Sequence, residues 1–287
     1  MTPSTLETSA SGRQREFEFT AQDFDTLRQL VKRQTGIHLS DQKRELVYGR
    51  LTRRLRVLRL QSFREYTERL VSGDEAELVE FCNAITTNLT SFFREVHHFD
   101  YLRDSFLASR VGDARASRRL RIWSAGCSTG EEPYSLAMVL RECIPDINRW
   151  DVRILATDID SDVLHRASEG VYGADRMRGI SPGRRARFFQ QVSRGTTAEW
   201  AVTSELRDLI VFKQLNLMQA LPMKGPLDLI FCRNVVIYFE KDTQRDLFAR
   251  IASLQRPGNL LFLGHSESLF KVTEVYSLLG KTIYRRQ

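Results

Sequence analysis

The sequence predicts an α/β protein, a doubly wound and mostly parallel sheet preceded by a small all-helical domain. From Arg119 onward, apolar strand-like runs alternate with helical segments, an order typical of a parallel sheet covered by helices. Before Asn88 the pattern is helical throughout, and Gly36 and Gly73 mark its breaks. The two parts of the chain therefore belong to different fold classes.

The composition is that of a soluble globular protein. The 287 residues, 42% hydrophobic and 28% charged, suffice for two domains. No run of about 18 apolar residues is present, so we expect no membrane insertion, and the N-terminus lacks a secretory signal. Four scattered cysteines without CxxC spacing fit a reducing cytoplasm. The net charge of +7 leaves nucleic acid, a membrane surface or an acidic protein as partner classes.

The N-terminal part begins with residues 1–15, which are polar and aperiodic and are predicted to be a disordered tail. Residues 16–88 form the predicted helical domain. Thr20 and Ser40 are predicted N-caps, and Ser62 opens a capping box. The predicted helices cover 21–34, 41–59, 62–71 and 75–86.

The second of these helices carries many basic residues. On a helical wheel its apolar stripe consists of Val47, Leu51, Leu55 and Leu58. Four arginines are predicted to form the opposite face: Arg50, Arg53, Arg54 and Arg56. A solvated face is one interpretation. A binding face is the other, because guanidinium groups suit both carboxylates and phosphates, and the sequence does not separate these two ligands.

Residues 89–118 are predicted to be a helix-containing linker, and 119–287 the sheet domain. Its strands RLRIWSAG, VRILATDID, LDLIFCRN and NLLFLGHS are near-continuous apolar runs, as expected for strands buried on both faces. The first strand is followed by a predicted helix with Pro133 in its first turn. The second strand is followed by a predicted helix that ends at Gly170. Residues 172–214 interrupt the alternation and are predicted to be an inserted small antiparallel β-subdomain.

The loop after the first strand, SAGCSTGEE, lacks the GxGxxG and P-loop patterns. Glu131 and Glu132 would repel a pyrophosphate and attract a cation, which favours S-adenosylmethionine over NAD or ATP. The alternative is that these acids only stabilise the helix dipole.

The second strand ends at Asp158, about 28 residues after Gly130, where an acid commonly accepts hydrogen bonds from ribose hydroxyls. The alternative is a cap of the next helix. The five histidines are scattered, and on a helix the adjacent His97 and His98 should diverge, so we expect no metal site.

Five blocks resemble the signatures of the chemotaxis receptor glutamate methyltransferase family, in its order and over roughly residues 20–285. They are TTNLTSFFRE (86–95), SAGCSTGEEPY (124–134), ATDID (156–160), FCRNVVIYF (231–239) and GHSE (264–267). The loop SAGCSTGEE departs from the GxGxG loop of most methyltransferases but is similar to this family's own variant.

The resemblance implies cofactor contacts for S-adenosylmethionine at nine positions. These are Asn88, Thr90, Arg94, Glu131, Asp158, Asn216, Leu217, Arg233 and Asn234. Glu131 matches the family position better than Glu132, and Arg94 is expected to pair with the methionine carboxylate. Tyr238 either borders the transfer site or is a half-buried core tyrosine.

The resemblance also implies a function. The protein would methylate glutamate side chains of chemoreceptors, leaving S-adenosylhomocysteine, with no general base. The arginine face would dock on the acidic helical bundle of a receptor, and some family members bind a receptor C-terminal peptide through the β-subdomain. We expect a cytoplasmic monomer recruited to receptor arrays and no nucleic-acid binding. The rivals are a nucleic-acid methyltransferase and a non-catalytic receptor-binding module.

Overall fold

The computed structural model describes residues 15–113, 117–194 and 197–287. Contacts within the chain separate two compact units. Unit 1 contains the described residues up to 34 together with 38–85, and unit 2 contains 35–37 and the described residues from 86 onward. Across the described ranges, no helix is both long and apolar enough to span a membrane.

The boundaries of the units differ from the predicted ones. Of the predicted tail, residues 1–14 lie outside the described residues. The sequence predicts a linker at 89–118, whereas contacts assign its described residues to unit 2. The reason is local packing, because the Phe93 N–H donates to Ser135 Oγ at 3.0 Å and Phe99 stacks on Phe231 of the sheet.

Unit 1 consists of helices close to the predicted ones. They are α1 (Ala21–Thr35), α2 (Arg44–Leu58), α3 (Phe63–Val71) and α4 (Glu75–Ile85), with a 3₁₀ turn at Asp41–Lys43. The predicted caps at Thr20 and Ser62 are present, since their hydroxyls accept from the N–H groups of Asp23 and Glu65. Ser40 occupies the predicted N-cap position, at the start of the 3₁₀ turn, but its side chain makes no capping hydrogen bond.

The arginines of α2 do not form one free face. Val47, Leu51 and Leu55 are buried as predicted, but Arg54 binds Glu77 and Glu80 of α4. The Arg50 guanidinium donates to the carbonyls of Ala84 and Ile85 at the end of α4. On the helical wheel both arginines flank the apolar stripe and meet the neighbouring helix, so the predicted four-arginine face was wrong. Arg53 and Arg56 remain exposed.

We predict that Arg54→Ala destabilises the protein by about 1–3 kcal/mol, because it leaves the carboxylate of Glu77 buried without its bidentate partner. Glu77 is 3% exposed and accepts from Arg54 at 3.1 and 2.7 Å. Urea unfolding of the full chain measures the change. Arg53→Ala is the matched control and should change stability by less than about 0.5 kcal/mol. Equal effects of both substitutions would contradict this role of Arg54.

Unit 2 is built on a seven-stranded sheet and a three-stranded sheet. The strands are β1 (Arg119–Ala125), β2 (Asp151–Asp158), β3 (Val171–Gly173), β4 (Phe189–Arg194), β5 (Thr197–Val202), β6 (Ile210–Gln214), β7 (Leu229–Cys232), β8 (Leu260–Leu263), β9 (Tyr276–Gly280) and β10 (Ile283–Arg286). The large sheet has the order β6-β2-β1-β7-β8-β10-β9. The first five strands in this order are parallel to one another, and β10 pairs antiparallel with both of its neighbours, β8 and β9. This confirms the predicted fold class.

The sheet is covered on both faces. Along β7, Ile230 belongs to one apolar cluster and Phe231 to another, and Leu261 and Phe262 of β8 divide in the same way. Successive strand residues point to opposite faces, so two cores explain the near-continuous apolar runs. The helices of this unit are α5 (His97–Tyr101), α6 (Ala108–Gly112), α7 (Glu131–Cys143), α8 (Ser161–Glu169), α9 (Pro182–Phe188), α10 (Ser204–Arg207) and α11 (Lys241–Ser253), with a π-helical turn at Leu102–Leu107.

The small sheet confirms the antiparallel subdomain but corrects its C-terminal limit. It has the order β3-β5-β4 and ends at Val202. The predicted insertion at 172–214 also included β6, which instead pairs in parallel with β2, as in Ile154 with Ile210. As an edge strand of the large sheet, β6 is mostly exposed, so its sequence resembles that of a strand in a small antiparallel sheet.

Candidate cofactor site

A cleft opens in unit 2 at the carboxyl ends of the parallel strands. In open α/β sheets ligands bind at this edge. The cleft is lined by Thr35, Ile37, Thr86, Thr87, Asn88, Gly126, Thr157, Asp158, Ile159, Leu215, Asn216, Leu217, Asn234, Val235, Tyr238 and Phe239. Six of these were predicted from the sequence: Asn88, Asp158, Asn216, Leu217, Asn234 and Tyr238.

Asp158, the last residue of β2, is the acid of the cleft. Its carboxylate accepts from the Ser128 N–H at 2.8 Å and from the Asp160 N–H at 3.0 Å, which fixes its orientation. Burial raises the pKa of Asp158 to about 6, while the backbone N–H donors oppose that shift. The carboxylate is therefore ionised at neutral pH and is available to accept hydrogen bonds from ligand hydroxyls.

Asp160, two residues further on, is the helix cap that the sequence left as an alternative for Asp158. Its Oδ1 accepts from the N–H groups of Asp162 and Val163 at the start of α8. Its Oδ2 accepts from Thr86 Oγ1 at 2.8 Å and Asn88 Nδ2 at 2.7 Å. Asp160 thus holds the 86–88 segment in the cleft wall and leaves Asp158 for a ligand.

The charge of the lining is unusual for a nucleotide site. Among the described residues that line the cleft, Asp158 carries a charge at neutral pH, and none is Lys, Arg or His. A phosphate would find no cationic partner there, whereas a cationic ligand is favoured. The lining therefore fits S-adenosylmethionine, which combines a ribose with a sulfonium, better than NAD or ATP.

The loop after β7 forms another wall. Asn234 adopts a left-handed backbone conformation with φ of 59°, and a 3₁₀ turn at Val236–Tyr238 follows. Asn234, Tyr238 and Phe239 all line the cleft. Tyr238 is half-buried at this border.

Four predicted cofactor residues lie outside the lining. The Arg94 guanidinium donates to the Leu89 carbonyl at 2.8 Å, and the Thr90 carbonyl accepts from Arg176 at 3.3 Å. Arg233 is 5% exposed and forms ion pairs with Glu132 at 3.1 Å and Glu95 at 3.4 Å. Direct contact of Thr90, Arg94, Glu131 and Arg233 with the cofactor stays a prediction.

The two acids at the start of α7 have different partners. Glu131 is fully buried, accepts from Thr129 Oγ1 at 2.7 Å and pairs with Arg176 at 3.2 Å. Glu132 accepts from Ser124 Oγ at 2.7 Å and pairs with Arg233. Burial raises the pKa of both carboxyls, and the arginines oppose this shift. Glu131 therefore links the start of α7 to Thr129 and Arg176, and Glu132 links it to Ser124 and Arg233.

His97 and His98 are closer than predicted. Their ring centroids are 4.2 Å apart, and with Glu95 they form a group of potential metal ligands among the described residues. The divergence expected from helix geometry was therefore wrong. The buried guanidinium of Arg233, 3.4 Å from Glu95, opposes a second cation there, and the absence of a metal site stays a prediction.

Several site residues were missed by the sequence analysis. Thr86, Thr87, Val235 and Phe239 belong to the quoted motifs, which could have marked them. Thr35 ends α1 and Ile37 follows it, and both are distant in sequence from every motif, so no local signal identifies them.

Comparisons with known proteins cover both units. The family models described as "CheR methyltransferase, all-alpha domain" and "CheR methyltransferase, SAM binding domain" match residues 22–86 and 88–285. The chain is 46% identical to "Chemotaxis protein methyltransferase 2" of Pseudomonas aeruginosa over 94% of both chains. It is 40% identical to "Chemotaxis protein methyltransferase" of Escherichia coli, over 91% of this chain and 89% of that one.

Proposed function

Because this chain belongs to the CheR methyltransferase family, we propose that it transfers methyl groups from S-adenosylmethionine to glutamate side chains of chemoreceptors, forming glutamyl methyl esters. The family match confirms the family and the cofactor that the sequence predicts. The observation that carries the proposal is a cleft with one carboxylate, at Asp158, and no cationic side chain among its described lining residues.

The proposed reaction requires no proton transfer by the protein. S-adenosylmethionine supplies an electrophilic methyl group on a sulfonium. A glutamate is already ionised at neutral pH, so no general base is required. The protein has to align the carboxylate oxygen with the methyl group and remove water from it. We propose that Tyr238, which lines the cleft, positions the substrate carboxylate.

We assign the cofactor to the five predicted cofactor residues that line the cleft, Asn88, Asp158, Asn216, Leu217 and Asn234. Asp158 accepts from the ribose hydroxyls, and Asn88, Asn216 and Asn234 offer amide groups around it. Leu217 is 8% exposed and contributes an apolar wall, while its carbonyl accepts from Arg250 at 2.7 Å.

Mass spectrometry of a receptor cytoplasmic domain tests the proposal. After incubation with S-adenosylmethionine, methyl groups should map to glutamates of the receptor helices and be absent without enzyme. Methylation of lysine with unmodified glutamates would contradict it, and methylation of added RNA with unmodified glutamates would favour the nucleic-acid rival.

For receptor docking, we propose the exposed arginines Arg53 and Arg56 of α2. Arg56 pairs with Glu16, and both side chains are exposed, so an acidic receptor surface can replace Glu16 at low cost. The edge strand β4 is the place where a receptor C-terminal peptide would add. Both contacts would act in the cytoplasm, at receptor arrays.

Arg53→Ala combined with Arg56→Ala should lower kcat/KM for the receptor by roughly 2- to 30-fold, the effect of losing two exposed ion pairs. Cofactor affinity, measured by calorimetry, should stay unchanged. The matched control is Arg64→Ala with Arg69→Ala, which removes two exposed arginines from α3 of the same unit. Equal losses in both double variants would show that net charge, and not the α2 site, drives docking.

A further inference from the structure

The buried carboxylate of Glu267 binds the loop that forms one wall of the cleft. Glu267 is 4% exposed and follows β8. Its two oxygens accept from five backbone N–H groups: Asn234 at 2.9 Å, Val235 at 2.8 Å, Val236 at 2.8 Å, Ile237 at 3.3 Å and Gly264 at 2.6 Å. Four of these donors belong to consecutive residues of the loop after β7.

This loop has the backbone geometry of an anion-binding nest. Asn234 is left-handed, with φ of 59°, and Val235 is right-handed, with φ of −114° and ψ of −49°. Alternation of these conformations points successive N–H groups to one side, where they bind an anion. The chain's own Glu267 occupies this nest, so the nest is not a site for a ligand phosphate.

Two glycines pack tightly against the same loop. A Cβ on Gly264 would lie 2.4 Å from Asn234 Nδ2, and a Cβ on Gly126 would lie 2.4 Å from Val235 Cγ2. These glycines follow β8 and β1, which are the two neighbours of β7 in the sheet. The loop is thus confined on both sides by glycine and fixed by Glu267.

We infer that Glu267 is a positioning residue for cofactor binding, which acts by fixing the backbone of 234–237 so that Asn234, Val235 and Tyr238 form the cleft wall. The inference rests on the proposed function only in taking this cleft as the methyl-transfer site. Glu267 does not line the cleft. Its effect passes through the loop.

Glu267→Gln is the most informative substitution, because it keeps the shape of the side chain. The amide retains one acceptor oxygen and places an NH₂ group against backbone donors, so several N–H groups lose their partner. Buried N–H groups without an acceptor are costly, and the loop should open.

Hydrogen exchange and calorimetry on the full, cofactor-free chain test this. In Glu267→Gln, amides of 234–237 should exchange at least about 10-fold faster than in the wild type. The dissociation constant for S-adenosylmethionine should rise about 10-fold. Glu267→Asp keeps the charge on a shorter side chain, so its exchange rates and its dissociation constant should lie between those of the wild type and of Glu267→Gln. This variant serves as the test if Glu267→Gln does not fold.

The matched control is Asp228→Asn, at the opposite end of β7. Asp228 also accepts a backbone N–H, from Arg121 at 2.7 Å, and pairs with Arg110, but it is remote from the lining. This variant should lower the thermal midpoint and leave both the exchange of 234–237 and the cofactor affinity within about twofold of wild type.

Wild-type exchange at 234–237 in Glu267→Gln, or the same loss of cofactor affinity in Asp228→Asn, would overturn the inference. Failure of the proposed function is distinguishable from this result. A wild-type protein that binds cofactor but leaves receptors unmodified would contradict glutamate methylation, while the exchange and affinity comparisons would still decide the role of Glu267.

Discussion

Asp158→Asn should weaken S-adenosylmethionine binding by roughly 10- to 100-fold, because hydrogen bonds to an ionised carboxylate contribute about 1.5–3 kcal/mol. Two backbone N–H groups hold this carboxylate at the cleft, and the neutral amide would offer one acceptor oxygen to them and to the ribose. Calorimetric titration measures the change.

The pH dependence of binding gives the same prediction an internal control. Since the pKa of Asp158 is raised to about 6, the side chain is ionised above that pH and neutral below it. Wild-type affinity should therefore fall as the pH is lowered from 7 to 5, and binding near pH 6 should release a proton. Asp158→Asn should lack this component. An unchanged pH profile in the variant would assign the dependence to another group.

Arg233→Met should destabilise the protein by about 3–5 kcal/mol, the usual cost of removing one partner from a buried ion pair. The side chain of Arg233 is 2% exposed and pairs with Glu132 and Glu95, and it also donates to the Arg94 carbonyl. Methionine would fill similar volume but leave two carboxylates without their cation. Thermal and urea unfolding measure the loss.

Arg94→Met is the control for this prediction. Arg94 is half-buried, and its guanidinium donates to the Leu89 carbonyl. We expect less than about 1 kcal/mol from its loss. If Arg233→Met kept wild-type stability and lost only cofactor affinity, Arg233 would be a direct cofactor ligand, as the family resemblance implies, and the structural role would be wrong.

The sheet was predictable because its central strands are buried on both faces. LIFC in β7 and LLFL in β8 are fully buried, so they read as uninterrupted apolar runs. The edge strand β6 was assigned to the insertion, because one of its five residues is buried and its sequence carries no sign of its parallel partner β2. The pairing of β6 with β2, which joins segments distant in sequence, could therefore not be predicted from the sequence.

The site was predictable where a motif residue lies at or just after a strand end, as Asp158 and Asn234 do. Glu267 also belongs to a motif, but its partners are backbone N–H groups, which leave no signature in side-chain identity. Arg54 was placed on the wrong face for a similar reason. Its partners Glu77 and Glu80 lie on α4, and the helical wheel of α2 contains no information about a neighbouring helix.

The most direct test of glutamate methylation at this cleft uses radiolabelled S-adenosylmethionine and membranes that carry chemoreceptors. We predict base-labile label on the receptor band with the wild-type protein and its loss with Asp158→Ala, because glutamyl methyl esters hydrolyse in base. Receptors without label, despite cofactor binding by calorimetry, would contradict the proposed acceptor. Equal label with Asp158→Ala would contradict the assignment of the cleft.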